Sequence, residues 1–380
     1  MPRHDVAIVG AGPAGAALAA LLASHGLDIA LFEARGGPAT DARTLALSHG
    51  SRELLEEAGA WPGGTTAITS IHVSQRGAPG RTLLDARDMR IPALGYTVAY
   101  AGLEAALVAR LREDGIPIHY GERCEGISTS EAGARLTFAS GREVEASLLV
   151  LADGGANAAK LPGIAFNEKD YGQAAVVAAL WADREHGGRA YERFTPEGPL
   201  ALLPVDERYG LVWTAAPAEA ARLLALDDGA FLAAWQERFG DRAGRFTRVA
   251  NRASFPLRLR VVNTPIAQRT AIIGNAAQAL HPIAGQGLNL GLRDVAGLAN
   301  EIRSTARESL GGVAMLERYR ESRRRDTGRG VLFTDALVSI FGDARRIPAW
   351  GRAAALGLID VLPPARRWLA DRMIYGAPAS

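Results

Sequence analysis

Residues 6–33, VAIVGAGPAGAALAALLASHGLDIALFE, decide the fold. A short buried strand at 5–9 enters a tight turn at 10–15, followed by an alanine- and leucine-rich helix at 14–25 and a second strand at 28–33. This is a βαβ unit, and it predicts an α/β domain. Gly10, Gly12 and Gly15 fit the spacing G-x-G-x-x-G, in which each glycine has a physical task. Gly10 permits the turn, Gly12 lets backbone N–H groups approach a pyrophosphate, and Gly15 lets the helix pack closely on the strand. The unpaired N–H groups at the helix start supply positive potential for the phosphates. Glu33 ends the second strand 18 residues after Gly15, where a carboxylate accepts hydrogen bonds from adenosine ribose hydroxyls. Together these point to a bound dinucleotide and leave FAD and NAD equally open.

Outward from this unit the chain predicts a helix around 49–58, two short strands near 70–84, a helix over 102–114 and short strands from about 116 to 150. Strand-like runs alternate with turn clusters from 173 to 215, helices follow at 217–225 and 229–239, and residues 245–262 return as strand. Beyond the glycine-rich segment 274–291 the chain reads as helix, interrupted near Gly311, Gly342, Pro348 and Pro363-Pro364.

Two further segments carry chemistry. In LLVLADGGANAAK (148–160) a buried strand ends at Asp153-Gly154, where ligands of open α/β sheets gather. In AIIGNAAQALHPIAGQGLNLGLRDV (271–295) a strand turns at Gly274-Asn275, passes an extended His281-Pro282 step and reaches a glycine turn that opens a helix. That second helix N-terminus favours negative charge, which a flavin ring acquires when reduced. Asn275 is suited to hydrogen-bond a ribityl hydroxyl.

The 380 residues, 48% hydrophobic and 22% charged, describe a globular chain of about two domains. With 43 basic against 41 acidic residues, nothing calls for a nucleic-acid partner. Residues 301–380 are the basic end, with 14 Arg against 9 Asp or Glu. A single cysteine, Cys124, excludes an internal disulfide, and no Cys/His spacing marks a metal site. No apolar run reaches the ~18–20 residues needed to span a bilayer, and the start MPRHD leads straight into a strand rather than a secretory signal. A cytoplasmic location is the expectation.

The three segments, in this order and spacing, resemble the FAD-dependent aromatic hydroxylases of the p-hydroxybenzoate hydroxylase fold, and within them the ubiquinone-biosynthesis hydroxylases of the 2-polyprenyl-6-methoxyphenol hydroxylase type. GNAAQALHPIAGQGLNLGLRD (274–294) is the most specific match. DARTLALSHGSRELLEEAGAW (41–61), AYERFTPEGPLALLP (190–204) and VLPPARRWLADRM (361–373) are similar to other stretches of that branch, so nearly the whole chain is covered.

The resemblance implies a Rossmann-like FAD domain built from 1–70, 96–165 and 262–330, a β-sheet substrate domain from 71–95 and 166–261, and a C-terminal helical region 331–380. Gly10, Gly12, Gly15 and Glu33 would hold the ADP half of FAD, with Arg43 along the pyrophosphate and flavin. Asp153 and Gly154 match the family's Asp-Gly motif, although this chain continues GANAAK where the family usually has serine and then arginine. Asn275, Pro282, Gly285, Gln286, Gly287, Leu288 and Asn289 would surround the ribityl chain and ring. NADH or NADPH would reduce the flavin, and dioxygen would supply the atom inserted into a prenylated phenolic quinone precursor. Because the cofactor carries that step, no metal or catalytic triad is required.

Phe194, Leu203, Pro204 and Trp213 are candidates for the substrate wall, against a reading as ordinary strand core. His281 is either an acid or base near the ring or part of the turn. Residues 345–372 combine Arg345, Arg346, Arg352, Arg366, Arg367 and Arg372 with Ile347, Trp350, Leu358, Trp368 and Leu369, which suits an interfacial helix pair in weak contact with a membrane surface, or docking onto a quinone-biosynthesis complex. The alternative is an amphipathic helix packed on its own domain. Two other functions stay open: a same-fold reductase of a prenyl lipid, and a non-catalytic flavin-binding subunit.

Overall fold

The computed structural model describes residues 2–39, 41, 43–77, 80–279, 286–324, 360 and 362–375. The chain begins with β1 (Arg3–Val9), α1 (Pro13–Leu22) and β2 (Ile29–Glu33). Then come β3 (Thr44–Ser48), α2 (His49–Glu57), β4 (Thr66–Ile68), β5 (Ser70–Gln75), β6 (Arg81–Asp85), α3 (Ala86–Met89), β7 (Gly95–Ala99) and α4 (Tyr100–Glu113). Short strands β8 (Ile118–Tyr120), β9 (Cys124–Ser130) and β10 (Gly133–Phe138) lead into β11 (Glu143–Leu151). Four strands follow, β12 (Phe166–Ala182), β13 (Arg189–Thr195), β14 (Gly198–Val205) and β15 (Arg208–Ala215), then α5 (Pro217–Ala225), α6 (Asp228–Phe239) and β16 (Phe246–Val262). The chain ends with β17 (Ile266–Ala267), β18 (Thr270–Ile272), β19 (Gln278–Ala279), α7 (Gln286–Arg303), a helical stretch over 313–324 and α8 (Pro363–Tyr375).

The first sheet runs β17-β18-β11-β1-β2-β8, with β1 pairing in parallel to both β2 and β11. All ten residues of α1 are buried, which explains its alanine-rich composition: it lies between the sheet, α4 and α7 and has room only for small side chains. Pro13 occupies its first turn, where a missing N–H costs nothing.

The second sheet runs β19-β16-β12-β15-β14-β13-β5-β6. Its outer face carries Tyr191, Leu202, Tyr209, Leu211 and Trp213 against Phe231, Trp235 and Phe239 of α6, a packed aromatic core. Trp235 stacks on Phe239 with ring centroids 5.0 Å apart and stands 5.4 Å from Trp213. Its inner face turns the other way. Ile71 of β5 and Leu84 of β6 pack with Leu94, Leu369, Ala370 and Ile374, so α8 closes this face at the β5–β6 end. A small antiparallel sheet, β3-β7-β4, touches the same sheet through β14, where the Thr97 hydroxyl donates to the Pro204 carbonyl at 2.6 Å.

Candidate active site

Gly10 has φ +103°, and a Cβ there would stand 2.5 Å from the Ala152 carbonyl oxygen. A Cβ on Gly15 would collide with the Gly10 carbonyl oxygen. These two glycines therefore close the turn onto the end of β11. Gly12 is different, since the nearest atom to its Cβ position is the Tyr100 hydroxyl at 3.9 Å. Gly12 caps α1 with no side-chain hydrogen bond, and no acid stands in the first turn, so the helix start offers N–H groups and open space together.

Glu33 ends β2, but its carboxylate is already engaged. Oε1 accepts from the Arg35 backbone N–H and Nε, both at 3.0 Å, while Oε2 accepts from the Ala11 N–H at 3.0 Å and from Arg35 Nη2 at 3.1 Å. Burial alone would raise this carboxyl, and Arg35 with the two backbone donors turns the net shift downward. Arg35 also reaches the buried Glu104 at 3.0 Å. A ribose hydroxyl bonding to Glu33 therefore has to share it with Arg35. Arg43 pairs with Asp41, Nε to Oδ2 at 2.8 Å, and lies 5.7 Å from the centre of the Tyr100 ring. Through Tyr100 it borders the open side of Gly12.

Asp153 folds its own loop. Oδ1 accepts from the Gly155 N–H at 2.9 Å, and Oδ2 accepts from the N–H and side-chain amide of Asn157 at 3.0 and 2.6 Å. Asn157 in turn accepts from Lys160 at 2.7 Å. The continuation GANAAK thus gives this loop a self-contained network. Gly154 and Gly155, at φ +72° and +93°, make the turn that network requires.

The third segment meets the first. A Cβ on Gly274 would stand 2.9 Å from Ala14 Cβ, and one on Gly291 3.0 Å from Gly274 Cα. Asp294 holds this junction from within α7, accepting from the Gly274 N–H at 3.1 Å, from Arg323 Nε at 2.9 Å and from the Gln278 amide. Burial pushes the Asp294 carboxyl up and Arg323 opposes the shift. Asn275 is exposed beside it. Gly287 and Leu288 begin α7, Gly287 with open space at its Cβ position. The Asn289 side chain is committed to protein: its Oδ1 accepts from the Ser48 N–H at 2.8 Å and the Ser51 hydroxyl at 2.7 Å, and its amide donates to the Ala46 carbonyl at 3.0 Å. His281, Pro282 and Gly285 lie outside the described residues, as does the side chain of Gln286.

The structure divides the four candidates for the substrate wall. Leu203 and Phe194 lie on the inner face, Leu203 half-buried and Phe194 packed on Val73. Trp213 and Pro204 are a correction. Trp213 belongs to the aromatic core under α6, and Pro204 pairs with Tyr209 and shares the outer face with Leu200 and Leu202. Strand alternation dictates this, because side chains at 200, 202 and 204 must point the same way.

A model of the FAD binding domain matches residues 3–333. The chain belongs to this FAD-binding family. Its glycine turn, its open helix start and its two strand-end loops gather near the ends of β1, β11 and β18, and their backbone donors and open space would suit a flavin dinucleotide. This flavoprotein is 34% identical to ubiquinone hydroxylase UbiL of Rhodospirillum rubrum, over 96% of its own chain and 87% of that protein. It is 29% identical to 3-demethoxyubiquinol 3-hydroxylase of Escherichia coli, over 85% of this chain and 86% of that one. Among solved structures, p-nitrophenol 4-monooxygenase PnpA from Pseudomonas putida DLL-E4 superimposes with a TM-score of 0.79 at 17% identity, covering all of both chains. That likeness speaks for the fold alone: the flavoprotein has the p-hydroxybenzoate hydroxylase fold of FAD-dependent monooxygenases.

Sequence reading passed over Arg35, Glu104, Tyr100, Asp294 and Glu192. Arg35 carries a local signal, two residues beyond Glu33, whereas the others acquire meaning only from a partner distant in the chain or from the face of a strand.

Proposed function

We propose that the chain is an FAD-dependent aromatic monooxygenase that uses NADH or NADPH and dioxygen to hydroxylate a prenylated phenol in ubiquinone biosynthesis. The observation that carries this reading is the convergence of the 10–15 turn, the 153–155 loop and the 274–275 turn at one end of the first sheet, in a chain similar along most of its length to ubiquinone hydroxylases. Bound FAD supplies the redox chemistry and activates dioxygen. The chain's own residues hold and orient it. Gly12 and the start of α1 take the pyrophosphate, Glu33 and Arg35 the ribose end, and Arg43 over Tyr100 the outer side. Asn275 and the backbone at Gly287 and Leu288 border the ring end.

In the same reading, 1–70, 96–165 and 262–330 form the FAD domain, and 71–95 with 166–261 the substrate domain. The inner face of the second sheet, with Leu203 and Phe194, is the apolar wall for the phenolic ring. The prenyl tail draws the protein to a membrane surface or a biosynthetic complex, with α8 as the contact. The exposed Leu362 just before the helix, with Trp368 and Tyr375 on it, supports this. Arg345, Arg346, Ile347, Trp350, Arg352 and Leu358 of the helix pair lie outside the described residues. Among the described residues no helix is long and apolar enough to cross a membrane.

The test is mass spectrometry of isoprenoid quinones and their precursors in source cells with and without the chain. A precursor lacking one ring oxygen should accumulate without it. An unchanged precursor pool, together with no phenol-dependent oxygen uptake by the purified flavoprotein, would sink the proposal.

A further inference from the structure

Glu192 sits in the middle of β13, between Ala201 of β14 and Val73 of β5 in the register of the second sheet. Its strand neighbours Tyr191 and Arg193 point outward, and Tyr191 joins the core under α6. Glu192 therefore points inward with Phe194, onto the face that Ile71 and α8 partly close. Beside it the inner face is half-open rather than packed: Ala201, Leu203, Val177 and Val212 are all only half-buried.

Among the described residues nothing answers Oε1 of this carboxyl, and Glu192 as a whole is half-buried. The Oε1 atom itself is sealed from solvent. By contrast, the fully buried acids among the described residues are answered by arginine: Glu33 and Glu104 by Arg35, Glu122 by Arg142, and Asp294 by Arg323. Burial by itself pushes Glu192 up to about 8, and no charged group takes part. The nearest titratable neighbours along β13 and β5, Arg193 and His72, are on the outer face, with His72 against the Tyr191 ring at 5.7 Å. The other polar side chains of β5 and β6 on the inner face, Gln75 and Thr82, do not titrate.

An unanswered carboxyl in apolar surroundings weakens a fold, and a leucine or methionine would fill the place better. Its remaining use is toward a ligand that brings its own polar atom. We propose that Glu192 is the specificity residue that receives the ring hydroxyl of the substrate through a direct hydrogen bond, with the ring against Phe194 and Leu203. This rests on the phenol hydroxylase reading given above. At neutral pH the group is a neutral acid, with a donor and an acceptor to offer a phenol. As pH rises through about 8 it becomes an anion in an apolar place, and it draws in water that competes for the same position.

The test is equilibrium titration of the FAD-loaded protein with 2-prenylphenol and with its O-methyl ether, read from the flavin absorbance spectrum. Wild type should bind the phenol at least tenfold more tightly than the ether. Glu192→Leu should bind both alike, and Glu192→Gln should keep part of the preference. Phenol affinity should weaken in wild type as pH passes 8, and stay level in Glu192→Gln. The assignment is overturned if Glu192→Leu keeps the full preference, or if wild-type affinity is level across that pH range; either leaves the hydroxylase reading in place. If wild type binds neither compound at any pH while holding FAD, the phenol reading itself falls, and the role of Glu192 with it.

Discussion

Two glycines three residues apart in the same motif behave differently because their surroundings differ. At Gly15 any side chain meets the Gly10 carbonyl, so Gly15→Ala should give an unfolded or aggregated chain. At Gly12 the space is open, and Gly12→Asp places a carboxylate at the start of α1 where the helix dipole welcomes it. The folded chain should therefore survive, but without flavin, because the new carboxylate occupies the position of the pyrophosphate. Absorbance at the flavin bands of the purified variant measures this, and full flavin content would refute the assignment of the turn. Glu192 makes a second residue-level prediction. Its folded value near 8 lies above an unfolded value near 4.5, so the native state keeps a proton that the unfolded chain releases. That stabilisation is complete below 4.5 and is lost as pH rises toward 8. Glu192→Gln has no such slope, so its melting temperature should gain on wild type by roughly 5 °C or more between those limits. Parallel melting curves at all pH values would show that the carboxyl is solvated.

At the scale of elements, what the sequence could reveal follows the range of the interactions involved. The βαβ unit was legible because its signals are local: glycine spacing, a run of small residues and a terminal acid. The helices expected at 217–225 and 229–239 stand at Pro217–Ala225 and Asp228–Phe239, since Pro217 and Asp227 are local start signals and the Asp227 side chain accepts from the Ala230 N–H at 2.7 Å. The small sheet β3-β7-β4 was not legible, because its strands pair residues about fifty positions apart in β3–β7 and about thirty apart in β4–β7 and carry no shared pattern. Which face of β14 and β15 looks inward was equally hidden. It depends on the aromatic side of α6, which claims Trp213 and leaves Leu203 to the other face. Asn289 shows the same limit within the glycine-rich motif. Its residue type suggests a ligand contact, whereas its side chain ties α7 to β3 and α2. Asn289→Leu should leave the Ser48 N–H and the Ala46 carbonyl without this partner and the Ser51 hydroxyl with the Ser48 hydroxyl alone, at a cost of about 2–4 kcal/mol. Urea unfolding of the flavin-free protein isolates this effect, and an unchanged midpoint would mean that the three groups find other partners.

For the molecule as a whole, α8 connects the basic C-terminal end to the inner face of the second sheet. One side of the helix, Ala370 and Ile374, is buried on Leu84 and Leu94. The other side exposes Trp368, with 56% of its surface accessible, Leu362 is exposed just before the helix, and Arg372 lies 5.3 Å from the Trp368 ring. Apolar and cationic groups thus share the surface of the element that closes the inner face where Leu203, Phe194 and Glu192 lie. A phenol whose prenyl tail stays in a bilayer would reach that face from the α8 side, so surface binding and substrate entry would coincide. This arrangement calls for weak, charge-assisted attachment. The protein should cosediment with phosphatidylglycerol vesicles at low salt and detach largely at physiological ionic strength, where screening acts within ~8 Å. Trp368→Ser should weaken the attachment severalfold without lowering flavin content, because this side chain lies on the outer side of the helix. No sedimentation with anionic vesicles even at low salt would eliminate the membrane role and leave the same apolar and basic surface of α8 as a docking site for a protein of the quinone-biosynthesis complex.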